Sequence, residues 1–395
     1  MSQCDETFVG PGETVSQSLH DQILVPPNLR KRHQDMIFRS LRNGSQKSAV
    51  ADRYGRPSAG GRTLPIAGTF VPFHERDLCR RWSDPSYRAT QYHLLKEIGL
   101  NTLILLTGNL GGVCYDSRYY AHICDTDLVD TVLKESSRLG MEIWIGLPHV
   151  EIAWMLQPRI RLTRLLETSR LLIEEIQQQY GQYDNFHGWY IPYELCNVFV
   201  EESEDPSCLP HWVNSIAMGC KLMPGDRPTA IAPYFTVTDG PDAFARLWEN
   251  IVRRLSMVDV IMMQDSVGIF KEDRLLELPL CFRMLKSLAE THGKRLWADI
   301  EIFDQQAGVP LDWEPWTADP APYERVIRQM QLVSEYVERI VTFSYFDYMN
   351  PAAGPVAGQL YRQYHQYLTS YDSNTAGRAE ETKVSSAGES VRQET

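Results

Sequence analysis

Eight apolar runs recur along the chain, and each is followed by a stretch with a different period. They are PIAGTFVPF (65–73), NTLILLTG (101–108), EIWIGLPH (142–149), GWYIPYEL (188–195), TAIAPYF (229–235), VDVIMMQD (258–265), RLWADIEIF (295–303) and RIVTFSYF (339–346). Most are continuous rather than alternating, as expected of parallel strands covered on both faces. Between them, apolar positions return every three or four residues. In TDLVDTVLKESSRLG, Leu128, Val129, Val132 and Leu133 form one stripe, and Gly140 is placed to end a helix. APYERVIRQMQLVSEYV (321–337) and PLCFRMLKSLAETHG (279–293) read the same way. Eight strands alternating with helices predict an α/β fold, a (β/α)8 TIM barrel. An open doubly wound sheet would instead carry a Gly-rich phosphate loop after its first strand, and GTFVPFHERD is not one.

The pattern covers residues 63–370, read as one catalytic domain with flexible N- and C-terminal tails. Residues 1–62 lack apolar periodicity and predict a flexible arm. It is basic: from Arg30 to Arg62 nine Lys or Arg face only Asp35 and Asp52. A short helix near Asp35–Arg42 fits within it. Residues 371–395 are too polar to bury a core and predict a disordered tail.

Over the whole chain, 39 Lys and Arg stand against 51 Asp and Glu, a net charge of −12. That balance argues against a nucleic-acid surface or an anionic membrane and suits a small-molecule or glycan substrate. The opening MSQCDETFVGPGETVSQ has neither the basic nor the apolar region of a secretory signal, and no run is long enough to span a membrane. The eight cysteines form no CxxC pair and suggest neither a disulfide framework nor a zinc site. A reduced, cytoplasmic setting is the expectation, with no cofactor and no metal.

In a barrel of this kind, chemistry sits where strands end and the following loops begin. The polar groups there are few: His74, Thr107, Asn109, His149, Glu151, Glu194, Asn197, Tyr234, Gln264, Asp265, Ser266, Asp299, Glu301, Tyr345 and Asp347. Glu194 and Glu301 stand out, because a carboxylate in an apolar strand is costly unless paired, hydrogen-bonded or protonated. They end strands four and seven, so their side chains can meet across the mouth. Two carboxyls so placed suit glycoside hydrolysis, one as acid/base and one as nucleophile. A large superfamily of barrel glycosidases has that arrangement, and the chain resembles it.

Other motifs carry less. GNLGG lacks the full dinucleotide pattern, HERDL lacks a second His, and QDSVG has Gln264 where a nucleophile elbow needs Gly. His149 and Glu151 have no third ligand in view, and Cys196 no His partner.

GWYIPYEL, TAIAPYF, MMQDSVG, WADIEIFDQ and FSYFDYMNP with GQLYRQY, taken in order over residues 64–370, resemble the DUF4434 family, a barrel family grouped with glycoside hydrolases. The resemblance implies a TIM barrel and places Glu194, Tyr234, Gln264, Asp265 and Glu301 on family positions. Ala232 departs from the family's usual Ser, Ser266 interrupts its QDG, and Asn350 replaces a Ser in its closing motif.

With Glu194 as acid/base and Glu301 as nucleophile, parity along the strands selects neighbours. Tyr190 shares the face of Glu194, and Asp299 lies one layer below Glu301 on the same side. Asp265 is expected to bind a sugar hydroxyl, with Gln264 turned away. Asn197, Tyr234, Trp297 and Tyr345 complete the expected substrate-binding set, with Trp313 and Trp316 as further aromatic platforms. As an alternative, the same acid/base pair would serve an intracellular biosynthetic enzyme that cyclises, eliminates or isomerises, and the fold would also suit a non-catalytic carbohydrate-binding barrel.

Overall fold

A computed structural model describes residues 63–109, 111–149, 159–196, 207–235, 241–308 and 314–370. The expected arm over 1–62, its helix near Asp35–Arg42 and the tail over 371–395 lie outside the described residues.

Each of the eight apolar runs forms a strand of one closed barrel: β1 (Ile66–Val71), β2 (Thr102–Leu105), β3 (Glu142–Gly146), β4 (Phe186–Ile191), β5 (Thr229–Ile231), β6 (Val260–Gln264), β7 (Arg295–Glu301) and β8 (Arg339–Phe343). All neighbours are parallel, strand order follows chain order, and β8 closes on β1. Helices fill the connections: α1 (Arg76–Ser83), α2 (Pro85–Glu97), α3 (Leu128–Ser137), α4 (Arg159–Tyr180), α5 (Cys208–Lys221), α6 (Pro241–Val252), α7 (Val267–Thr291), α8 (Tyr323–Val333) and the single turn α9 (Tyr345–Tyr348). A last helix covers residues 355–370.

Local chemistry explains the borders. Asp127 caps α3 by accepting the Asp130 N–H, the stripe Leu128, Val129, Val132 and Leu133 is buried, and Gly140 at φ +63° leads the chain into β3. Helix α7 begins well before the predicted start at residue 279 and contains Pro279, with a break in helical geometry at Lys271. That earlier start shapes the site described below.

The barrel interior is filled by Phe70, Ile104, Trp144, Tyr190, Ala230, Ala232, Val260, Met262, Trp297 and Val341, drawn from all eight strands. Trp144 and Trp297 meet edge to face at 5.4 Å, and Ala230 on β5 with Ala232 just past its end leaves room for them. A much larger core joins the outer strand faces to the helices.

One expectation is corrected here. Cys79 on α1 and Cys124, in the loop before α3, are in bonding contact with Cα atoms 5.5 Å apart, a disulfide spacing. They are 45 residues apart in the chain, so no local cysteine pattern announces the pairing. No helix among the described residues is long and apolar enough to cross a membrane.

Candidate active site

The end of β4 carries Glu194 three residues past Ile191, on the inward parity of Tyr190. Its Oε1 accepts a hydrogen bond from Gln264 Nε2 (3.0 Å), and the same amide donates to the Ala232 carbonyl (2.8 Å). Gln264 ends β6, so this bond spans β5 and fixes the acid against the rim. Glu194 keeps solvent exposure at the rim, while protein atoms crowd around its carboxyl. That crowding pushes its carboxyl up to about 7, and the Gln264 amide pulls the other way.

Glu301 ends β7 and is almost fully buried. Its Oε2 accepts the Gly268 N–H at 2.7 Å, in the first turn of α7. Burial pushes its carboxyl up to about 8, the charges of Asp265 and Glu194 add to the rise, and the Gly268 N–H and the Arg325 guanidinium oppose it.

Asp299 lies one layer deeper on the same strand face. It is 2% exposed, and its Oδ1 has no hydrogen-bond partner. Burial, then the charges of Glu301, Asp265 and Glu194, hold it protonated far above the usual carboxylate range. Three carboxyls thus face one barrel mouth within electrostatic reach of each other.

Of the other expected residues, Tyr190 joins this group: it packs on Phe70 at 5.2 Å, and the charges of Glu194 and Asp299 reach it. Tyr234 also joins, with its N–H on the Leu195 carbonyl (3.1 Å) and the Cys196 thiol and Glu194 beside its hydroxyl. Asn197, Glu151 and Trp313 lie outside the described residues.

Three expectations are corrected. Gln264, not Asp265, turns to the mouth. Asp265 is fully buried in the wall, its oxygens accepting the N–H groups of Val267 and Glu301 and Gln329 Nε2 of α8, out of reach of a sugar hydroxyl. Trp297 faces inward as its parity requires, yet four residues of strand, about 13 Å, separate it from Glu301. It lies under the guanidiniums of Arg339 (4.6 Å) and Arg295 (5.5 Å) at the opposite end of the barrel. Tyr345 is buried outside the barrel against Phe346 (5.1 Å) and Tyr361 (6.4 Å), because α9 turns the chain outward directly after β8.

Trp316, His74 and His149 take their expected places near the mouth, whereas Phe303, Tyr348 and Gly268 escaped sequence reasoning. An aromatic wall stands beside Glu301, where Phe303 packs on both Trp316 and Tyr348 at 5.3 Å. Trp316, 45% exposed, donates from Nε1 to the Tyr348 hydroxyl (3.3 Å). The phenol in turn feels the charge of Glu301. On the β1 side, His74 and His149 meet edge to face at 5.6 Å. Burial and the neighbouring His149 push His74 down to about 4, so it is neutral at pH 7. Gly268 could not be recognised because its contribution is a backbone N–H. Among the described residues no group of three or more His, Cys, Asp or Glu side chains is arranged to hold a metal ion.

The family model described as a domain of unknown function, DUF4434, matches residues 66–355. No curated protein matches the sequence. Among solved structures, a Bacteroides thetaiotaomicron protein proposed to be an alpha-L-fucosidase superposes with a TM-score of 0.64 at 21% identity, covering 80% of this chain and 95% of that one. A beta-galactosidase from a Rahnella species gives 0.49 at 10% identity, over 80% of this chain and 57% of that one. An intracellular xylanase from Thermoanaerobacterium saccharolyticum gives 0.44 at 12% identity, over 71% and 86%. At 21% identity the first likeness is one of fold, the (β/α)8 barrel, and carries over no residue or substrate.

Proposed function

Since the chain belongs to the DUF4434 family, a family without a known activity, we propose from its site that it is a glycosidase-like enzyme using Glu194 as acid/base and Glu301 as nucleophile. The observation that carries this reading is the facing pair itself. Two glutamates end β4 and β7, three strands apart, with Glu301 gripped by the Gly268 N–H and Glu194 open to the mouth.

The roles follow from these settings. Glu194, exposed and held near neutrality, gives its proton to the glycosidic oxygen as that bond breaks. Glu301 attacks the anomeric carbon and forms an ester, and the aglycone leaves with the proton. Glu194, now a carboxylate, takes a proton from water, and the water oxygen displaces Glu301. The productive state carries one proton, on Glu194, and leaves Glu301 ionised for attack. The Gly268 N–H favours Glu301 in its charged form. Trp316 and Tyr348 supply an apolar wall next to the reacting carbon.

A second reading draws on Asp299. With Asp299 neutral and Glu301 held above the usual range, the site also suits acid–base chemistry without a covalent step, such as elimination or isomerisation of a small molecule. One experiment separates the two. The protein is incubated with a panel of aryl glycosides and with a cell metabolite extract, and products are followed by mass spectrometry. Loss of a sugar-sized mass supports hydrolysis. An isomeric product, or water loss alone, supports the second reading. No turnover of either set contradicts both.

A further inference from the structure

The wall behind Glu301 is built more elaborately than a strand end requires. Where β6 stops, Asp265 turns outward and is fully buried. Its Oδ1 accepts the N–H groups of Val267 (3.1 Å) and Glu301 (3.2 Å), and its Oδ2 accepts Gln329 Nε2 (2.6 Å). Every one of these partners is a donor, so the cradle is built for a carboxylate. Gln329 also donates to the Glu301 carbonyl (3.1 Å), and so does Arg325, one turn earlier on α8 (3.2 Å).

The same turn aims the group that holds the Glu301 side chain. Ser266, at φ +57°, bends the chain so that α7 starts against the end of β7. Gly268 then approaches so closely that a Cβ there would lie 2.6 Å from Phe303 Cε2 and 2.7 Å from the Phe303 carbonyl oxygen. Only a glycine brings its N–H to Glu301 without displacing Phe303.

We propose that Asp265 is a positioning residue that holds, from outside the barrel, both the Glu301 backbone and the Gly268 N–H that grips the Glu301 carboxyl. Its charge is part of the device, because a neutral Asn of the same shape would turn an NH2 donor toward the Gln329 donor. A buried negative charge behind Glu301 strengthens proton binding there, in the direction seen for both Glu301 and Asp299. The other charged or titratable groups facing Glu301 are Glu194 past β4, Asp299 on β7, Arg325 on α8 and Tyr348 on α9. The catalytic side of this proposal rests on the glycosidase reading, while the positioning itself does not.

The test measures Glu301 directly. The full chain is labelled with 13Cδ-glutamate and titrated by NMR, and Glu301 is assigned by its loss in Glu301→Gln. In Asp265→Asn the Glu301 midpoint should fall by about one pH unit, a tenfold change in proton binding. In Gly268→Ala, which displaces the donor from the carboxylate, it should rise. These opposite signs are not expected of general loosening. If Asp265→Asn fails to fold, Asp265→Asn combined with Gln329→Glu restores a donor–acceptor pair and should show a smaller fall. Unmoved midpoints in folded variants overturn the proposal. On any aryl glycoside the protein turns over, Asp265→Asn should lower kcat about a hundredfold with KM nearly unchanged. If no glycoside is turned over but the midpoints move, the glycosidase reading fails and the positioning stands.

Discussion

The two ends of the barrel treat charge in opposite ways. At the N-terminal floor, Arg339 pairs with Glu142, and Arg295 pairs with Glu338 at 2.8 Å. Both guanidiniums lie over the Trp297 ring. Burial alone would raise Glu142, but the hydrogen bond and charge of Arg339 bring it below the usual range. At the C-terminal mouth, Glu194, Asp299 and Glu301 face one another, and all three are pushed upward. The nearby cation, Arg325, is committed to Asp304 (3.1 Å) and to backbone carbonyls. Opposite charges meet at the floor, whereas the mouth gathers unpaired buried carboxyls, a costly arrangement of the kind found at functional sites.

The contrast is broken most sharply by neutralising the mouth. Glu194→Gln and Glu301→Gln should each cut turnover of a glycoside substrate by roughly 10⁴-fold or more, with unchanged circular dichroism. At the floor, Glu142→Gln should instead cost stability. Loss of the charged partner of a half-buried Arg339 predicts about 1–3 kcal/mol, read as a lower urea midpoint, with kcat/KM preserved.

The pH dependence of stability sharpens the same point. Asp299 and Glu301 have folded-state values above their unfolded ones. Their contribution is therefore fully present below the ordinary carboxylate range and is lost as pH rises, for Glu301 through about 8. Melting temperature should fall over that window. Glu301→Gln, which mimics the protonated acid, should melt above the parent at pH 9 and level with it at pH 4. The smallest effect belongs to Tyr345→Phe. The Tyr345 hydroxyl is buried without a partner and away from the mouth. Its removal should leave KM unchanged and stability within about 0.5 kcal/mol.

The barrel was legible because continuous apolar runs and three-to-four periodicity are both products of burial, and burial is what builds the fold. Glu194 and Glu301 were legible for the converse reason, as charges in apolar runs. Gln264 and Asp265 were read the wrong way round because a strand buried on both faces shows no alternation, so its sequence does not say which parity points inward. Trp297 had the right face and the wrong depth, since depth depends on where along β7 the paired carboxyls sit. Tyr345 was misplaced by the outward turn of α9, and the Gly268 donor is a backbone group with no signature among side chains.

The central claim, that Glu301 is the nucleophile of a facing pair, is tested most directly by covalent trapping. The protein is treated with activated 2-deoxy-2-fluoroglycosides of the sugars it turns over, digested, and mapped by mass spectrometry. The account predicts a fluoroglycosyl ester on the peptide containing Glu301, absent in Glu301→Gln. An ester on Glu194, or steady turnover of the matching aryl glycoside with no ester at Glu301, would contradict it.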